Sequence, residues 1–239
     1  MNPRFSGSLA LIAGGTGGLG RAVSLAFLEE AADVVVTYRH EEEFSALKND
    51  AGRYSSKLTG QQADVTEEQA ARQLIAAVLG KHGRLDILVN SVGAYAGGTK
   101  LWETEPKVFD AMLALNLRSG YTLSRAVVPA MLRQKAGSII NIASKAAIDH
   151  AAGAGAYAAS KAAALALVDS LAEDLRGTGV RVNSVLPSII DTEANRRAMP
   201  NADFSKWPKP EDIARVILFL CSHDAKLIHG AAIPVYGSV

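Results

Sequence analysis

The chain has 239 residues, of which 49% are hydrophobic and 21% are charged, and its formal net charge at pH 7 is +1. This length favours one sizeable hydrophobic core over two small ones, and the balanced charge gives no indication of a nucleic-acid partner or a membrane surface. The single cysteine, Cys221, excludes an internal disulfide, and no cysteine and histidine cluster has the spacing of zinc ligands, so no metal site is predicted.

Short strand-like runs alternate with helix-like patterns along the chain, and the strands form nearly continuous apolar runs. This arrangement predicts a single doubly wound α/β (Rossmann) domain over residues 1–239, with a seven-stranded parallel sheet and helices on both faces. The predicted strands are residues 9–13, 34–37, a segment ending at 61–63, 85–89, 138–142, 180–185 and 231–235. The predicted helices are residues 18–30, 67–79, 107–133 with a break near 119–120, 156–176 and 211–222.

Two long stretches of the sequence bear on a possible substrate lid and on a possible membrane span. The longest irregular stretch, residues 188–208, is predicted to be either a lid over the substrate or a solvated surface loop. The most apolar long stretch, residues 151–175, contains four charged side chains and is a poor candidate for a membrane span. The N-terminus lacks a charged segment followed by a long apolar core, so we expect no secretory signal and a cytoplasmic location.

A glycine-rich segment follows the first predicted strand and opens the first predicted helix. Its sequence is Ala13-Gly14-Gly15-Thr16-Gly17-Gly18-Leu19-Gly20. Glycines permit a tight turn and close approach to a pyrophosphate, while the helix N-terminus presents free N–H groups to the phosphates. The spacing fits three dinucleotide fingerprints, so it predicts a dinucleotide without choosing among them. No Lys-Ser or Lys-Thr follows, which disfavours a nucleoside-triphosphate P-loop.

The end of the second strand bears on the choice of cofactor. It reads Tyr38-Arg39-His40 and lacks the acidic residue that would bind the ribose hydroxyls of NAD. The planar donors of Arg39 could instead pair with a 2′-phosphate, so NADPH/NADP is predicted and NADH is the second choice. Asp64, at the end of the third strand, could approach the adenine or could cap the helix that begins at Glu67.

Tyr157 and Lys161 lie four residues apart in a predicted helix, downstream of Ser144. Residues at this spacing share one helix face, so the phenol and the ammonium can cooperate. A free phenol loses its proton near pH 10, and a neighbouring ammonium lowers that pKa. The pair therefore predicts a proton donor and acceptor near neutral pH, although a chance Tyr and Lys on an amphipathic helix would look the same.

The glycine loop, Ser144, Tyr157 and Lys161, in this order, resemble the classical short-chain dehydrogenases/reductases, with a general likeness to the 3-oxoacyl-carrier-protein reductase type. The resemblance spans essentially the whole chain. Its further motifs are Asn90-Ser91-Val92-Gly93, Asn116 within Ala114–Leu117, Asn141-Ile142-Ala143-Ser144 and Pro187–Thr192. The chain departs from the family pattern at Ala13, Ser91, Val92, Ser188 and residues 236–238, but none of these positions removes a catalytic group.

The resemblance implies an NADPH-dependent oxidoreductase that reversibly reduces a ketone or aldehyde to an alcohol. Tyr157 would give a proton to the developing alkoxide, and Ser144 would hydrogen-bond to the carbonyl oxygen. Lys161 would lower the pKa of Tyr157 and hold the nicotinamide ribose, while Asn116 would help to hold a proton-relaying water. The implied cofactor-binding residues are Gly14, Thr16, Gly18, Leu19, Gly20, Arg39, Asp64, Val65, Asn90, Gly93, Tyr157, Lys161, Pro187, Ile190 and Thr192.

Two other functions compete with this interpretation. A sugar-nucleotide epimerase or dehydratase of the extended relatives would also use Tyr-x-x-x-Lys, but only a few residues follow Val235, where those chains add a substrate domain. A non-enzymatic NADP-binding regulator is the second alternative, and the intact Ser144, Tyr157 and Lys161 argue against it.

The sequence also predicts self-association. Residues 162–168, in the helix of Tyr157, are all small or apolar, and the last strand ends in the apolar segment 235–239. A lone surface helix should be polar on its outer face, and a bare sheet edge is a liability. Two such surfaces suit a homotetramer with closed symmetry.

Overall fold

The computed structural model describes residues 3–238, so Met1, Asn2 and Val239, the last residue of the predicted C-terminal edge, lie outside it. Within this range the strands form one parallel sheet in the order β3-β2-β1-β4-β5-β6-β7. The strands are β1 (Leu9–Ala13), β2 (Asp33–Tyr38), β3 (Leu58–Gln62), β4 (Ile87–Asn90), β5 (Gly137–Ile142), β6 (Val180–Pro187) and β7 (Ala232–Val235). The helices are α1 (Gly18–Glu29), α2 (Glu41–Asp50), α3 (Glu68–His82), α4 (Pro106–Leu113), α5 (Ser119–Gln134), α6 (Gly155–Asp174), α7 (Glu193–Ala198) and α8 (Pro210–Cys221).

Alternate residues of the central strands feed two hydrophobic layers, because side chains point to opposite faces of a sheet. On one face, residues such as Ile12 and Val36 pack against α1 and α8. On the other face, residues such as Leu11 and Val35 pack against α3, α5 and α6. Both faces of the sheet are therefore covered, which explains the nearly continuous apolar runs of its inner strands. The predicted doubly wound α/β fold with a seven-stranded parallel sheet is confirmed in the described residues.

The order of the strands creates a crevice at one point of the sheet. The chain winds from β1 outward to β3, then returns to the centre and winds the other way from β4 to β7. The carboxyl ends of β1 and β4 therefore lie side by side, with Ala13 paired to Asn90. In open α/β sheets, ligands bind at this reversal of strand order, beyond the carboxyl ends of the strands.

Several elements differ from the sequence predictions. Helix α2 was not predicted, and β3 was placed only by its end. The long helix predicted over residues 107–133 is interrupted by a π-helical turn at Ala114–Arg118, a few residues before the predicted break. The stretch 188–208 is not entirely irregular, because it contains α7 and a 3-10 turn at Phe204–Lys206. Among residues 3–238, no helix is long and apolar enough to cross a membrane.

The loop between β1 and α1 has little space for side chains. Gly14 adopts a positive φ of 72°, a conformation that other residues rarely adopt. A Cβ on Gly20 would overlap the carbonyl oxygen of Gly14 and lie 2.9 Å from its carbonyl carbon. Because these obstacles are backbone atoms, they cannot rotate away. The first turn of α1 can therefore approach the loop this closely only with glycine at residue 20.

The tight packing at Gly20 and the open space at Gly80 predict opposite effects of Gly→Ala substitutions on the free energy of unfolding. Gly20→Ala should lower the free energy of unfolding by about 1–3 kcal/mol, the usual cost of overpacking. Gly80→Ala is the matched control: it lies in α3 with nothing within 4 Å of an added Cβ. It should raise stability by about 0.5–1 kcal/mol through higher helix propensity. Urea unfolding monitored by circular dichroism measures both. Equal stability of Gly20→Ala and the parent would contradict the packing described above.

Candidate active site

A crevice of about 350 Å³ lies beyond the carboxyl ends of β1, β2 and β4. Of the predicted cofactor-binding residues, six line it directly: Gly14, Thr16, Arg39, Asp64, Val65 and Gly93. Asn90 stands behind it instead. Its Oδ1 accepts a hydrogen bond from the Val92 backbone N–H at 3.3 Å, and its Nδ2 donates to Asn141 Oδ1 at 3.2 Å. Asn90 thus supports the turn after β4 and does not line the crevice.

The glycine loop forms one wall and fits a dinucleotide. The backbone N–H of Gly14 donates to Thr37 Oγ1 at 2.8 Å, which ties the loop to β2. Helix α1 begins at Gly18, preceded by Gly17, which has no side chain to cap it. The N–H groups of the first turn, which includes Leu19 and Gly20, therefore lack helical partners and stand available to an anion. A glycine-rich loop at an uncapped helix N-terminus is what a pyrophosphate requires.

The far end of the crevice carries Arg39, whose side chain is exposed. Asp64 lies near it at the end of β3. Its Oδ1 accepts hydrogen bonds from the Thr66 hydroxyl at 2.7 Å and from the Thr66 backbone N–H at 2.9 Å. The Thr66 hydroxyl lowers the pKa of Asp64, and the charge of Arg39 acts in the same direction. Asp64 does not cap α3, because the capping position is Glu67, and that alternative is wrong.

Glu43 is a residue of this crevice that the sequence did not single out. It comes from the first turn of α2 and lines the crevice with Thr16 and Arg39. Its Oε2 accepts a hydrogen bond from Thr16 Oγ1 at 2.8 Å. A run of three glutamates after Arg39 was the signal in the sequence, but only the position of α2 shows which of them turns inward.

Lys161 is buried at the other end of the site, with only 5% of its surface exposed. Its Nζ donates to the carbonyl oxygen of Ile142, at the end of β5, at 2.9 Å. The absence of a side chain at Gly93 makes room for it, since a Cβ there would lie 3.2 Å from Nζ. Burial lowers the pKa of Lys161 to about 8, because the charged form loses its hydration.

Tyr157 lies half-buried, one helical turn before Lys161, and the Ser144 hydroxyl is beside it. Burial raises the pKa of Tyr157 above its usual value, and the hydrogen bond from Ser144 offsets only part of that rise. The sequence-based expectation of a lowered Tyr157 pKa is therefore wrong for the free protein. The physical reason is that desolvation of the phenolate dominates, while the Lys161 ammonium is directed to Ile142.

Asn116 lies in the π-helical turn and holds the irregular segment that follows β4. Its Nδ2 donates to Ala94 O at 3.0 Å, while its Oδ1 accepts from Ala94 N–H at 2.9 Å. Nδ2 also donates to Ser160 Oγ, on α6, at 3.0 Å. The side chain thus links the turn after β4 to α6, the helix that carries Tyr157 and Lys161. Irregular π-turns of this kind often occur at functional sites.

Tyr95 is a second residue that the sequence analysis missed. Its ring meets the ring of Tyr157 edge-on, with centroids 4.9 Å apart. The side chain is 69% exposed, so it lies at the open side of the site. The Tyr95 phenol adds to the rise in the pKa of Tyr157.

The segment after β6 crosses toward the glycine loop. Pro187 ends β6, and Ile190 packs against the hydrophobic layer of α1 and α8. Thr192 caps α7, since its Oγ1 accepts a hydrogen bond from Asn195 N–H at 3.2 Å. Its methyl carbon lies 2.8 Å from where a Cβ on Gly18 would be. This segment therefore packs against the glycine loop at the first residue of α1.

Comparison with known proteins agrees with this geometry. The family model for short chain dehydrogenases matches residues 8–203. The chain is 31% identical to the 3-oxoacyl-[acyl-carrier-protein] reductase FabG of Thermotoga maritima, over 99% of each protein. It is also 31% identical to the 7alpha-hydroxysteroid dehydrogenase of Escherichia coli K12, over 99% of this chain and 95% of that relative.

Solved structures match the fold along nearly the whole chain. ElxO with NADP bound gives a TM-score of 0.91 at 28% identity and covers 96% of this chain and 97% of its own. A tyrosine-to-phenylalanine variant of ElxO with NADPH bound gives the same TM-score at 27% identity. With the parallel sheet, the glycine loop and the Ser, Tyr and Lys constellation in place, the chain belongs to the short-chain dehydrogenase/reductase family and is an NAD(P)-dependent oxidoreductase.

Proposed function

We propose that this protein is an NADPH-dependent carbonyl reductase, which converts a ketone or aldehyde to an alcohol and catalyses the reverse reaction. The observation that carries the proposal is the grouping of Ser144, half-buried Tyr157 and buried Lys161 beside the crevice. Acid catalysis of carbonyl reduction needs a proton donor and a hydrogen-bond donor to the same oxygen. The two hydroxyls can supply them.

Tyr157 is the proposed general acid. Its raised pKa keeps the phenol protonated at neutral pH, which is the form that can give a proton to a developing alkoxide. Ser144, a residue only 8% exposed, would donate a hydrogen bond from its hydroxyl to the carbonyl oxygen and hold that oxygen near the phenol. When bound, a reduced nicotinamide would supply the hydride that attacks the carbonyl carbon.

Lys161 and Asn116 have supporting roles in this proposal. The Lys161 ammonium would hold the nicotinamide ribose and stabilise the phenolate that remains after proton transfer. The Asn116 amide binds both polar backbone atoms of Ala94, so its side chain positions the turn that carries Gly93. We propose that the π-helical turn around Asn116 also helps to hold the water that returns a proton through Lys161.

Two observations support NADPH as the cofactor. Arg39 lines the crevice at the end of β2, and the residues at this strand end, Tyr38-Arg39-His40, include no acidic residue that would bind the ribose of NAD. ElxO, which is similar along 96% of this chain, was solved with NADP bound. The remaining predicted contacts, including Val65 and the segment from Pro187 to Thr192, belong to the same proposal. A cytoplasmic location is also part of this proposal and rests on the sequence patterns alone.

The relatives support a small-molecule carbonyl or alcohol as substrate without fixing its class. One is a 3-oxoacyl-[acyl-carrier-protein] reductase and another is a 7alpha-hydroxysteroid dehydrogenase, at equal identity to this chain. A panel of oxoacyl thioesters, steroid ketones and simple aldehydes, followed by the absorbance of NADPH, tests the proposal. Turnover of any member would also reject the alternative of a non-enzymatic NADP-binding regulator.

We further propose a homotetramer. A groove between α5 and α6 is lined by Tyr121, Val128, Leu167 and Leu171, and Tyr121 is 43% exposed. At the sheet edge, Ala232 and Pro234 of β7 are exposed. A second copy on the helices would cover the groove, and another on the edge would cover β7. Both contacts can occur together in a closed dimer of dimers.

The first prediction of this proposal concerns the proton donor. Tyr157→Phe should lower kcat by about a hundredfold to ten-thousandfold, because it removes the acid and keeps the ring. NADPH binding, measured by fluorescence titration, should remain. Tyr54→Phe, outside the crevice, is the control and should keep full activity. A Tyr157→Phe protein that binds NADPH and retains near-parental kcat would reject the mechanism.

The second prediction concerns the cofactor. Arg39→Asp should weaken NADPH binding by about a hundredfold, because it turns an attraction for the 2′-phosphate into a repulsion. NADH binding should change little. Arg215→Asp, on α8 and outside the crevice, controls for the change in net charge. Calorimetric titration with both cofactors measures this. Equal losses for the two, or tighter NADH binding in the parent, would rule out the assignment of Arg39.

The third prediction concerns assembly. Light scattering at micromolar concentration should give four times the mass of one chain. Leu167→Glu places a charge in the groove between α5 and α6 and should reduce the particle to a dimer. Glu173→Gln, on an exposed part of α6, should leave the tetramer intact. A monomeric parent protein would reject the proposal. A parent protein that is a dimer would support only one of the two proposed interfaces.

A further inference from the structure

The end of the crevice beside Arg39 contains a carboxylate of opposite charge. Glu43 and Arg39 both line it, and Glu43 Oε2 accepts a hydrogen bond from Thr16 Oγ1 at 2.8 Å. This bond joins α2 to the glycine loop across the crevice. It also occupies the hydroxyl of Thr16, which would otherwise be available to an approaching phosphate. The carboxylate and the guanidinium thus stand at the same end of the cofactor space.

Packing of α2 holds Glu43 at this position. The ring of Phe44, the next residue, stacks on Tyr38 at the end of β2, with centroids 5.0 Å apart and planes 8° from parallel. Phe44 also fills the space above Gly60 in β3, where an added Cβ would lie 2.6 Å from the ring. Because Phe44 is held between Tyr38 and Gly60, the preceding residue, Glu43, is fixed at the wall of the crevice.

The charges at this end favour different cofactors. Among the residues that line the crevice, Arg39 carries the only guanidinium, while Glu43 and Asp64 carry carboxylates. Within residues 3–238, no carboxylate lies within ion-pair distance of Arg39. A 2′-phosphate with nearly two negative charges is attracted by Arg39 and repelled by Glu43. A free ribose 2′-hydroxyl can instead donate a hydrogen bond to the carboxylate.

We propose that Glu43 is a cofactor-specificity residue that counters Arg39, so that the enzyme prefers NADPH only moderately and retains NADH as a usable cofactor. This inference rests on the proposed function, because it assumes that the adenosine end of the dinucleotide lies between Arg39 and Glu43. The usual acceptor for the ribose hydroxyls is an acidic residue at the end of β2, which this chain lacks. Here the carboxylate comes from Glu43 of α2 instead.

Direct binding of both cofactors tests the inference. Dissociation constants for NADPH and NADH are measured by nicotinamide fluorescence in the parent, in Glu43→Gln and in Glu42→Gln. Glu43→Gln should tighten NADPH about tenfold, since removing one like charge near a dianion gives roughly that factor. It should leave NADH unchanged or weaken it. Glu42→Gln makes the same charge change at an exposed neighbour that does not line the crevice, and should change neither constant.

A second variant separates charge from fold. Glu43→Ala removes the carboxylate without leaving an amide, and circular dichroism melting reports whether each variant is folded. Both Glu43 variants should raise the ratio of NADPH to NADH affinity. An unchanged ratio in a folded Glu43 variant, or an equal rise in Glu42→Gln, would overturn the inference.

The same titrations keep this inference distinct from the cofactor proposal. Loss of NADPH binding in Arg39→Asp, together with an unchanged ratio in Glu43→Gln, would overturn only the role of Glu43. An Arg39→Asp protein that binds NADPH as the parent does would reject the placement of the 2′-phosphate, and the inference on Glu43 with it.

Discussion

Burial of the Lys161 ammonium is the constraint on which the packing around Gly93, Asn116 and the end of β5 depends. A cation removed from water is costly unless it is hydrogen-bonded, and here the Ile142 carbonyl at the end of β5 accepts one of its protons. Gly93 must lack a side chain because both Lys161 and the Asn116 amide occupy that space. Asn116 in turn fixes the backbone after β4. The end of β5, the segment after β4 and the π-helical turn that carries Asn116 therefore all accommodate one charged group.

Burial shifts the pKa values of Tyr157 and Lys161 in opposite directions. It raises the pKa of Tyr157 and lowers the pKa of Lys161, because the phenol is charged when deprotonated and the amine when protonated. Around neutral pH the phenol keeps its proton, and a pKa of about 8 leaves the amine mostly charged. This is the protonation state from which the proposed carbonyl reduction would start. The reverse oxidation has to begin from the phenolate, which the same desolvation disfavours.

The sequence predicts the elements whose signals are local. The apolar strands, the glycine loop and the Tyr and Lys spacing are short-range patterns, and the structure has them where they were predicted. Strand β3 (Leu58–Gln62) was harder to predict because Leu58 is its one buried residue and the strand ends in two glutamines. Helix α2 gave a weak apolar pattern because only Leu47 is buried. The inward position of Glu43, the contact of Tyr95 and the direction of the Tyr157 pKa depend on packing between distant segments. No local pattern contains that information.

The contact between Thr192 and Gly18 has a consequence for how this sequence can evolve. The methyl group of Thr192 occupies the space that a side chain at residue 18 would need. The two positions are far apart in the chain, since Gly18 begins α1 and Thr192 is the capping residue of α7. A side chain at residue 18 would press on the Thr192 side chain, which would have to rotate or be replaced by a smaller one. The tolerance of residue 18 to substitution therefore depends on which side chain stands at residue 192, although the two residues belong to different elements.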